Sequence, residues 1–286
     1  NDPVYKYIPE FKNLTVKKRK KTKPVKNHVK IIDLLRHSAG LNFKGPDDYR
    51  KVIDLSLEEY IKESIKSPLK FEPGTTWWYS YATDICGYLI EVLSQEKLDV
   101  FLKSRIFDPL EMNDTFFELP NSKLDRLTTL YVVDENKELV SFDNKTNTPF
   151  KDKVVLLNGS GGLLSTTDDY LKFSFMLLNN GLYNEKQIIK KETLDLMKED
   201  HSLGLKYKKL AFGKKKGFGL GFEVVKEDGT KFGSKGTFGW GGMFGTYFRV
   251  DPKENMVFIY MTQSFETYKL KLADKFRALV YQSIIK

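Results

Sequence analysis

The sequence predicts a mixed α+β fold, an antiparallel β-sheet flanked by helices. Three observations carry this reading: helical periodicity dominates residues 30–98, extended segments dominate the last third, and an amphipathic helical pattern closes the chain. In "KIIDLLRHSAG", Ile31, Leu34 and Leu35 share one helical face, and Gly40 supplies the stop. Ser56 and Glu59 have the spacing of a capping box, Leu57, Tyr60, Ile61 and Ile65 form the stripe that follows, and Pro68 ends the element. A third helix is expected to bury Ile85, Leu89, Val92 and Leu93 on one face.

"LTTLYVVDENKELVSF" reads as a hairpin that turns at Asp134 to Lys137. In "GSGGLLSTTDDYLKFSFMLLNNG" a Ser/Thr/Asp cluster offers N-caps, Asp168 and Asp169 suit the helix dipole, and Gly181 closes the helix. "GFGLGFEVV" reads as a strand with Phe218, Leu220, Phe222 and Val224 on one face and Gly217, Gly219 and Gly221 on a bare one, which a neighbour is expected to approach closely. "GTYFRV" and "MVFIYMTQ" are two more strands, joined by "DPKEN" with Pro252 at a type I corner. The second is apolar on both faces and reads as central. From Tyr268 to Ile285, Leu272, Phe276, Leu279 and Val280 are expected to lay a helix over the sheet.

A chain of 286 residues, 41% apolar and 30% charged, has the composition of a globular protein. No apolar run approaches the roughly 18 residues of a membrane span, so no integral membrane segment is expected. The single Cys86 excludes an intrachain disulfide and reads as a buried thiol. No spacing suggests metal ligands, and no cofactor is expected. The net charge of +9 is concentrated in Lys17 to Lys23 and Lys206 to Lys216. Both runs read as solvated loops, and since no zinc-finger, RNP-type or helix-turn-helix pattern accompanies them, no nucleic-acid partner is expected. "NDPVYKYIPEF" reads as a connecting segment, so further sequence is expected upstream. Oligomeric state and compartment, cytoplasmic or periplasmic, are not fixed by these features.

Two stretches concentrate unusual residues: "FEPGTTWWYSYATDICGYLIEVLS" and "GTFGWGGMFGTYF". By residue type alone the first fits a half-buried aromatic cluster, and the second fits a β-bulge under a core tryptophan. Together with "LLRHSAGL", "RIFDPLEMNDTFF", "GSGGLLSTTDDYLKFSFMLLN" and "GFGLGFEV", however, they resemble the serine β-lactamase-like family, in the branch holding class C β-lactamases and family VIII carboxylesterases. The likeness runs in order from Asp2 to about Gln263. It implies a single α/β-sandwich domain of the β-lactamase/transpeptidase type over residues 1–286, with a helical subdomain at 30–125 and the sheet with its covering helices at 126–286.

The resemblance also implies acyl transfer by a Ser-x-x-Lys pair, the Tyr of a Tyr-x-Asn motif, and a strand motif that is Lys-Thr-Gly in β-lactamases and Trp-x-Gly in the esterases. On that basis Tyr79 is the catalytic tyrosine. Trp240, Gly241 and Gly242 form the strand motif, and the N–H of Met243 faces a developing oxyanion. A phenol of pKa ~10 is a poor base. Lowering it by about three units needs ~4 kcal/mol of phenolate stabilisation, which the family's lysine ammonium would supply.

Three literal Ser-x-x-Lys matches are rejected. Ser67 is followed by Pro68, Ser94 lies where the helical pattern runs out, and Ser283 lies at the printed end of the sequence. The pair is expected upstream, so these 286 residues alone are expected to be inactive. Adjacent His37 and Ser38 point in different directions from a helix end, and His28 and His201 have no evident acidic partner, so a Ser-His-Asp triad is discounted. Trp240 stands in place of the lysine that grips a β-lactam carboxylate, and Tyr81 in place of the Asn that contacts an acylamino group. Both departures favour a small neutral ester as the substrate. A β-lactamase or D-alanyl-D-alanine peptidase, and a non-catalytic ligand-binding member of the fold, are the alternatives.

Overall fold

The computed structural model describes residues 1–42, 53–151, 153–207, 212–228 and 233–284. After two 3₁₀ turns, Val4–Lys6 and Pro9–Asn13, come a hairpin, β1 (Thr15–Lys18) and β2 (Lys21–Pro24), and helices α1 (Ile31–Leu35), α2 (Leu57–Ser64), α3 (Ala82–Ser94) and α4 (Leu98–Leu102). A second hairpin, β3 (Leu130–Val133) and β4 (Leu139–Asp143), leads to α5 (Thr167–Leu178), the short pair β5 (Leu182–Tyr183) and β6 (Lys186–Gln187), and α6 (Lys191–Lys198). Strands β7 (Lys216–Phe218), β8 (Glu223–Val225), β9 (Phe238–Gly241), β10 (Tyr247–Asp251) and β11 (Met256–Tyr260) follow, then helical segments Glu266–Lys269 and Leu272–Gln282. The fold is the mixed helix-and-sheet type that the sequence predicts. Among the described residues, no helix is long and apolar enough to cross a membrane.

These elements sort into two compact units, each assembled from three segments of chain. The first holds residues 1–106, 154–163 and 199–221. Its core gathers Val4, Ile8, Phe11, Leu34, Leu57, Ile61, Ile85 and Leu98, each at most 2% exposed. The capping box forms as the spacing demands: the Glu59 N–H donates to Ser56 Oγ, and the Ser56 N–H donates back to Glu59 Oε2.

Three expectations for this unit are corrected. The opening residues are packed 3₁₀ turns rather than a connector, because Val4, Ile8 and Phe11 are three or four residues apart and reach the core together. Lys17 to Lys23 is a β-hairpin rather than a loop, pairing Lys17 with Thr22 and Lys18 with Lys21. Its strands bury only Val16, and their lysines are exposed except Lys23, which is half-buried and pairs with Glu72 at 3.2 Å. In α3 the apolar stripe outlasts its packing: Ile85 and Leu89 are buried, but Leu93 is 59% exposed. Residues 208–211 of the second basic run lie outside the described residues, as do Ile285 and Lys286 of the last Ser-x-x-Lys match.

The second unit holds residues 107–153, 164–198 and 222–286. Its antiparallel strands run in the order β11, β10, β9, β8. The β3–β4 hairpin turns at Asp134 as expected, with the Lys137 N–H donating to the Asp134 carbonyl. Thr166 caps α5 through the Asp169 N–H, and Gly181, at φ +88°, ends it with an N–H to Met176.

Strand β11 lies at the edge of the order, not at its centre. It is apolar on both faces because both are covered: α5 packs along one, where its Tyr170 also meets Phe248 of the neighbouring β10 at 5.0 Å, while Phe276 of the C-terminal helix meets Phe258 (6.1 Å) and Tyr260 (5.3 Å) on the other. The stripe expected of that helix holds only in part. Leu279 is 63% exposed, whereas Arg277 is buried and donates to the Tyr247 hydroxyl. "GFGLGFEVV" is not one strand: β7 ends at Phe218, β8 begins at Glu223, and Gly221 turns between them at φ +97°. The close neighbour expected at the glycines is present at Gly217, where a Cβ would stand 2.2 Å from the Asp200 carboxyl carbon, but Gly221 has open space.

Candidate active site

Tyr79 and Tyr81 belong to the first unit, and Trp240, Gly241, Gly242 and Met243 to the second. In the first unit the segment before α3 is pinned on both sides. The Trp77 N–H donates to the Lys206 carbonyl, the Lys206 N–H to Thr75, and the Trp78 N–H to the His37 carbonyl. Trp77 packs edge-on to Phe212 at 4.5 Å and near Phe218 at 5.5 Å. Trp78 is turned toward solvent, with the Lys70 ammonium 3.8 Å above its ring. The half-buried ring of Tyr79 lies 4.6 Å from the imidazole of His37.

Tyr81 is placed differently from what a ligand contact needs. It is 7% exposed and its hydroxyl donates to the Ser64 carbonyl at 3.1 Å, while burial, followed by the charge of Asp84, holds its phenol well above the usual range. Asp84 was not singled out from the sequence. It sits at the third position of α3, 2% exposed, and accepts the Ser160 N–H at 2.7 Å, which ties the loop after Asn158 to the helix start. Burial raises its pKa to about 6 against the opposing pull of those hydrogen bonds. An acidic residue among the apolar positions of a helix was the available signal.

Ser38 is fully buried. Its hydroxyl donates to Asp33 Oδ1 at 2.7 Å and accepts from Arg36 Nε at 2.9 Å, so it is spent on structure. The Ser94 hydroxyl donates to the Ile90 carbonyl and that of Ser283 to Val280. Cys86 is a half-buried residue whose thiol burial pushes up to about 12, well away from a nucleophile.

In the second unit, β9 pairs with β10 through Phe238↔Val250, Gly239↔Arg249, Trp240↔Phe248 and Gly241↔Tyr247. Its pairing with β8 stops at Glu223↔Gly239, so Trp240 to Met243 run on past β8. The Gly242 N–H donates to the Thr246 carbonyl at 2.7 Å and the Gly245 N–H to Gly242, which closes a tight turn with the exposed Met243 near its tip. A Cβ on Gly242 would lie 2.1 Å from Thr246 Oγ1, so a side chain there would require the Thr246 hydroxyl to turn away.

Beneath this strand end lies a row that the sequence reading missed. Glu223, Gly239 and Arg249 are neighbours across three strands, and the Arg249 guanidinium passes over the bare glycine to reach Glu223 Oε1 at 2.7 Å. Arg249 is 4% exposed and Glu223 8%. Gly239 has φ +153°, and a Cβ there would stand 2.2 Å from the Phe248 carbonyl oxygen and 3.1 Å from Arg249 Cδ. A charged residue at a buried position of an alternating strand was the signal that a partner exists. Among the described residues, no group of three or more His, Cys, Asp or Glu side chains is placed to hold a metal ion.

The model of the family described as Beta-lactamase matches residues 1–282. The chain belongs to the Beta-lactamase family. Among curated relatives, this Beta-lactamase-family chain is 28% identical over 283 residues to Protein Rv1367c of Mycobacterium tuberculosis, which covers 92% of the chain and 70% of that protein. It is 27% identical over 294 residues to the "Putative D-alanyl-D-alanine carboxypeptidase" of Escherichia coli K12, covering 92% and 62%. Among solved structures, EstCE1, described as a hydrolase with promiscuous acyltransferase activity, superposes with a TM-score of 0.80 at 24% identity over 98% of this chain and 77% of its own. Simvastatin synthase (LovD) from Aspergillus terreus gives 0.77 at 20% identity over 100% and 78%. At these identities the likeness establishes the β-lactamase fold, and the family places the chain among hydrolases of that fold.

Proposed function

We propose that the full-length protein hydrolyses small uncharged carboxylic esters through an acyl-enzyme, with Tyr79 as the proton-transferring phenol and the end of β9 as the oxyanion-binding edge. The observation that carries this reading is the placement of Trp240, Gly241 and Gly242 where β9 runs past its pairing with β8. An indole there offers one neutral N–H where the β-lactamase pattern offers an ammonium, and the glycines let a substrate carbonyl approach the backbone. The nucleophile and its lysine are assigned to a Ser-x-x-Lys outside these 286 residues, because the serines above are buried, spent on carbonyls or followed by proline. In this reading Tyr81 supports the start of α3 from inside rather than touching substrate.

The name of the Escherichia coli relative favours a second reading, peptidase chemistry on D-alanyl-D-alanine ends. Turnover of p-nitrophenyl butyrate, nitrocefin and a diacyl-Lys-D-Ala-D-Ala peptide by the full-length protein separates the two. A missing charge-assisted hydrogen bond to a substrate carboxylate is worth about 1.5–3 kcal/mol, so kcat/KM for the ester is expected to exceed those for the two anionic substrates by about 10- to 100-fold. The reverse order would favour the peptidase or β-lactamase reading, and no turnover of any of the three would leave a ligand-binding role.

A further inference from the structure

We propose that His37 is the positioning residue for Tyr79, holding the phenol ring in one orientation through a ring-to-ring contact that starts from a left-handed backbone. The inference rests on the role given to Tyr79 above. Its starting point is a buried histidine that the proposed chemistry does not otherwise use. His37 is 2% exposed, and its imidazole stands 4.6 Å from the Tyr79 ring, tilted by 55°. Phe218 at 5.4 Å and Trp77 at 6.2 Å back it edge-on from other directions. The wall against Tyr79 is therefore itself held. A second link runs through the backbone, where the His37 carbonyl accepts the Trp78 N–H at 2.8 Å, one residue from Tyr79.

The backbone at His37 is fixed as firmly as its ring. The residue follows α1 at φ +54°, a left-handed conformation that side chains seldom adopt. On either side the Ser38 N–H donates to the Asp33 carbonyl at 2.7 Å, the His37 N–H to Leu34 at 3.1 Å, and the Gly74 N–H to Ser38 at 2.9 Å. The hydroxyl of Ser38 and the guanidinium of Arg36 both close on Asp33 Oδ1. This network gives the adjacent His37 and Ser38, discounted as a catalytic pair in the sequence, a structural role. Ser38 clamps the turn, and His37 is what the turn presents.

Burial lowers the imidazole pKa to about 4, so the ring is neutral near pH 7, and its Nδ1 has no hydrogen-bond partner among the described residues. The ring face, rather than a charge or that nitrogen, is then what bears on Tyr79. Histidine suits the position because it combines a flat ring with better tolerance of the left-handed region than a phenylalanine has. A strained, over-determined residue beside a candidate catalytic group is the pattern expected where positioning matters.

Two variants separate ring from backbone. His37→Asn keeps a side chain that accepts the left-handed conformation and removes the ring, while His37→Phe keeps a ring and strains the backbone. Full-length protein carrying tyrosine labelled with carbon-13 at Cζ gives a resonance for Tyr79, assigned by its loss in Tyr79→Phe. In His37→Asn that resonance is expected to shift or broaden while the other tyrosines stay in place. In His37→Phe it is expected to return close to the wild-type position, at a lower melting temperature. An unchanged Tyr79 resonance in His37→Asn would overturn the proposal, and so would equal disturbance in both variants, which would assign the effect to a ring nitrogen. In ester turnover, His37→Asn is expected to lose on the order of 10- to 100-fold in kcat with KM held within about two-fold, the signature of a misplaced rather than missing group. If wild-type protein turns over no ester, the hydrolase reading fails by itself, and the NMR comparison still decides the role of His37.

Discussion

Tyr79→Phe is expected to lower kcat for p-nitrophenyl butyrate in the full-length protein by about 10²- to 10⁴-fold, the range for loss of a positioned proton-transfer group. The half-buried ring, fixed by the pinned segment from Thr75 to Trp78 and by His37, should stay in place when only its oxygen is removed. KM and the melting temperature should therefore barely move. Steady-state kinetics with a thermal melt on the same preparations checks this. A variant with wild-type kcat would remove Tyr79 from the chemistry.

The second large effect is on stability. Arg249→Met is expected to destabilise the fold by about 3–5 kcal/mol, because it leaves the Glu223 carboxylate in a buried position without its guanidinium. The charge left behind sets the cost, since a paired buried charge and a well-packed apolar substitute are of similar stability. Replacing Arg249 and Glu223 together by methionine and leucine should accordingly recover most of the loss. Gly239→Ala should resemble the single change, because its new methyl group meets the Phe248 carbonyl and stands in the path of the guanidinium. Urea denaturation of the three variants measures the effect. Loss below about 1 kcal/mol for Arg249→Met would show that the ion pair is well solvated.

Where a local rule dictates structure, the sequence was legible. The Ser56 capping box, the turn at Asp134, the Thr166 cap and the hairpin joining β10 to β11 all follow from residues a few positions apart. The misreadings concern what packs against what. A double-sided apolar strand reads as central, yet β11 is an edge strand whose two faces are covered by α5 and the C-terminal helix. Periodicity placed Leu93 and Leu279 on buried faces, but it carries no information on where the facing surface ends. Alternation joined Gly217 to Val225 into one strand because Gly221 leaves no side chain to reveal that the backbone turns there.

At the candidate site the motifs marked Tyr79 and the Trp240 turn, and composition marked nothing else. The supports beneath them, Asp84 under Ser160 and Arg249 across Gly239, are polar residues inside apolar patterns. Such residues show in sequence that a partner exists but not which one, because their partners lie 76 and 26 positions away.

The central claim is that the phenol of Tyr79 and the glycine-lined end of β9 serve a serine nucleophile attacking an ester carbonyl. Full-length protein treated with a fluorophosphonate and analysed by peptide mass spectrometry tests it most directly. A single adduct is predicted, on a serine followed three residues later by lysine and outside these 286 residues, with labelling slowed in Tyr79→Phe. An adduct on Ser38, Ser67 or Ser94, or no adduct at all, would contradict the account.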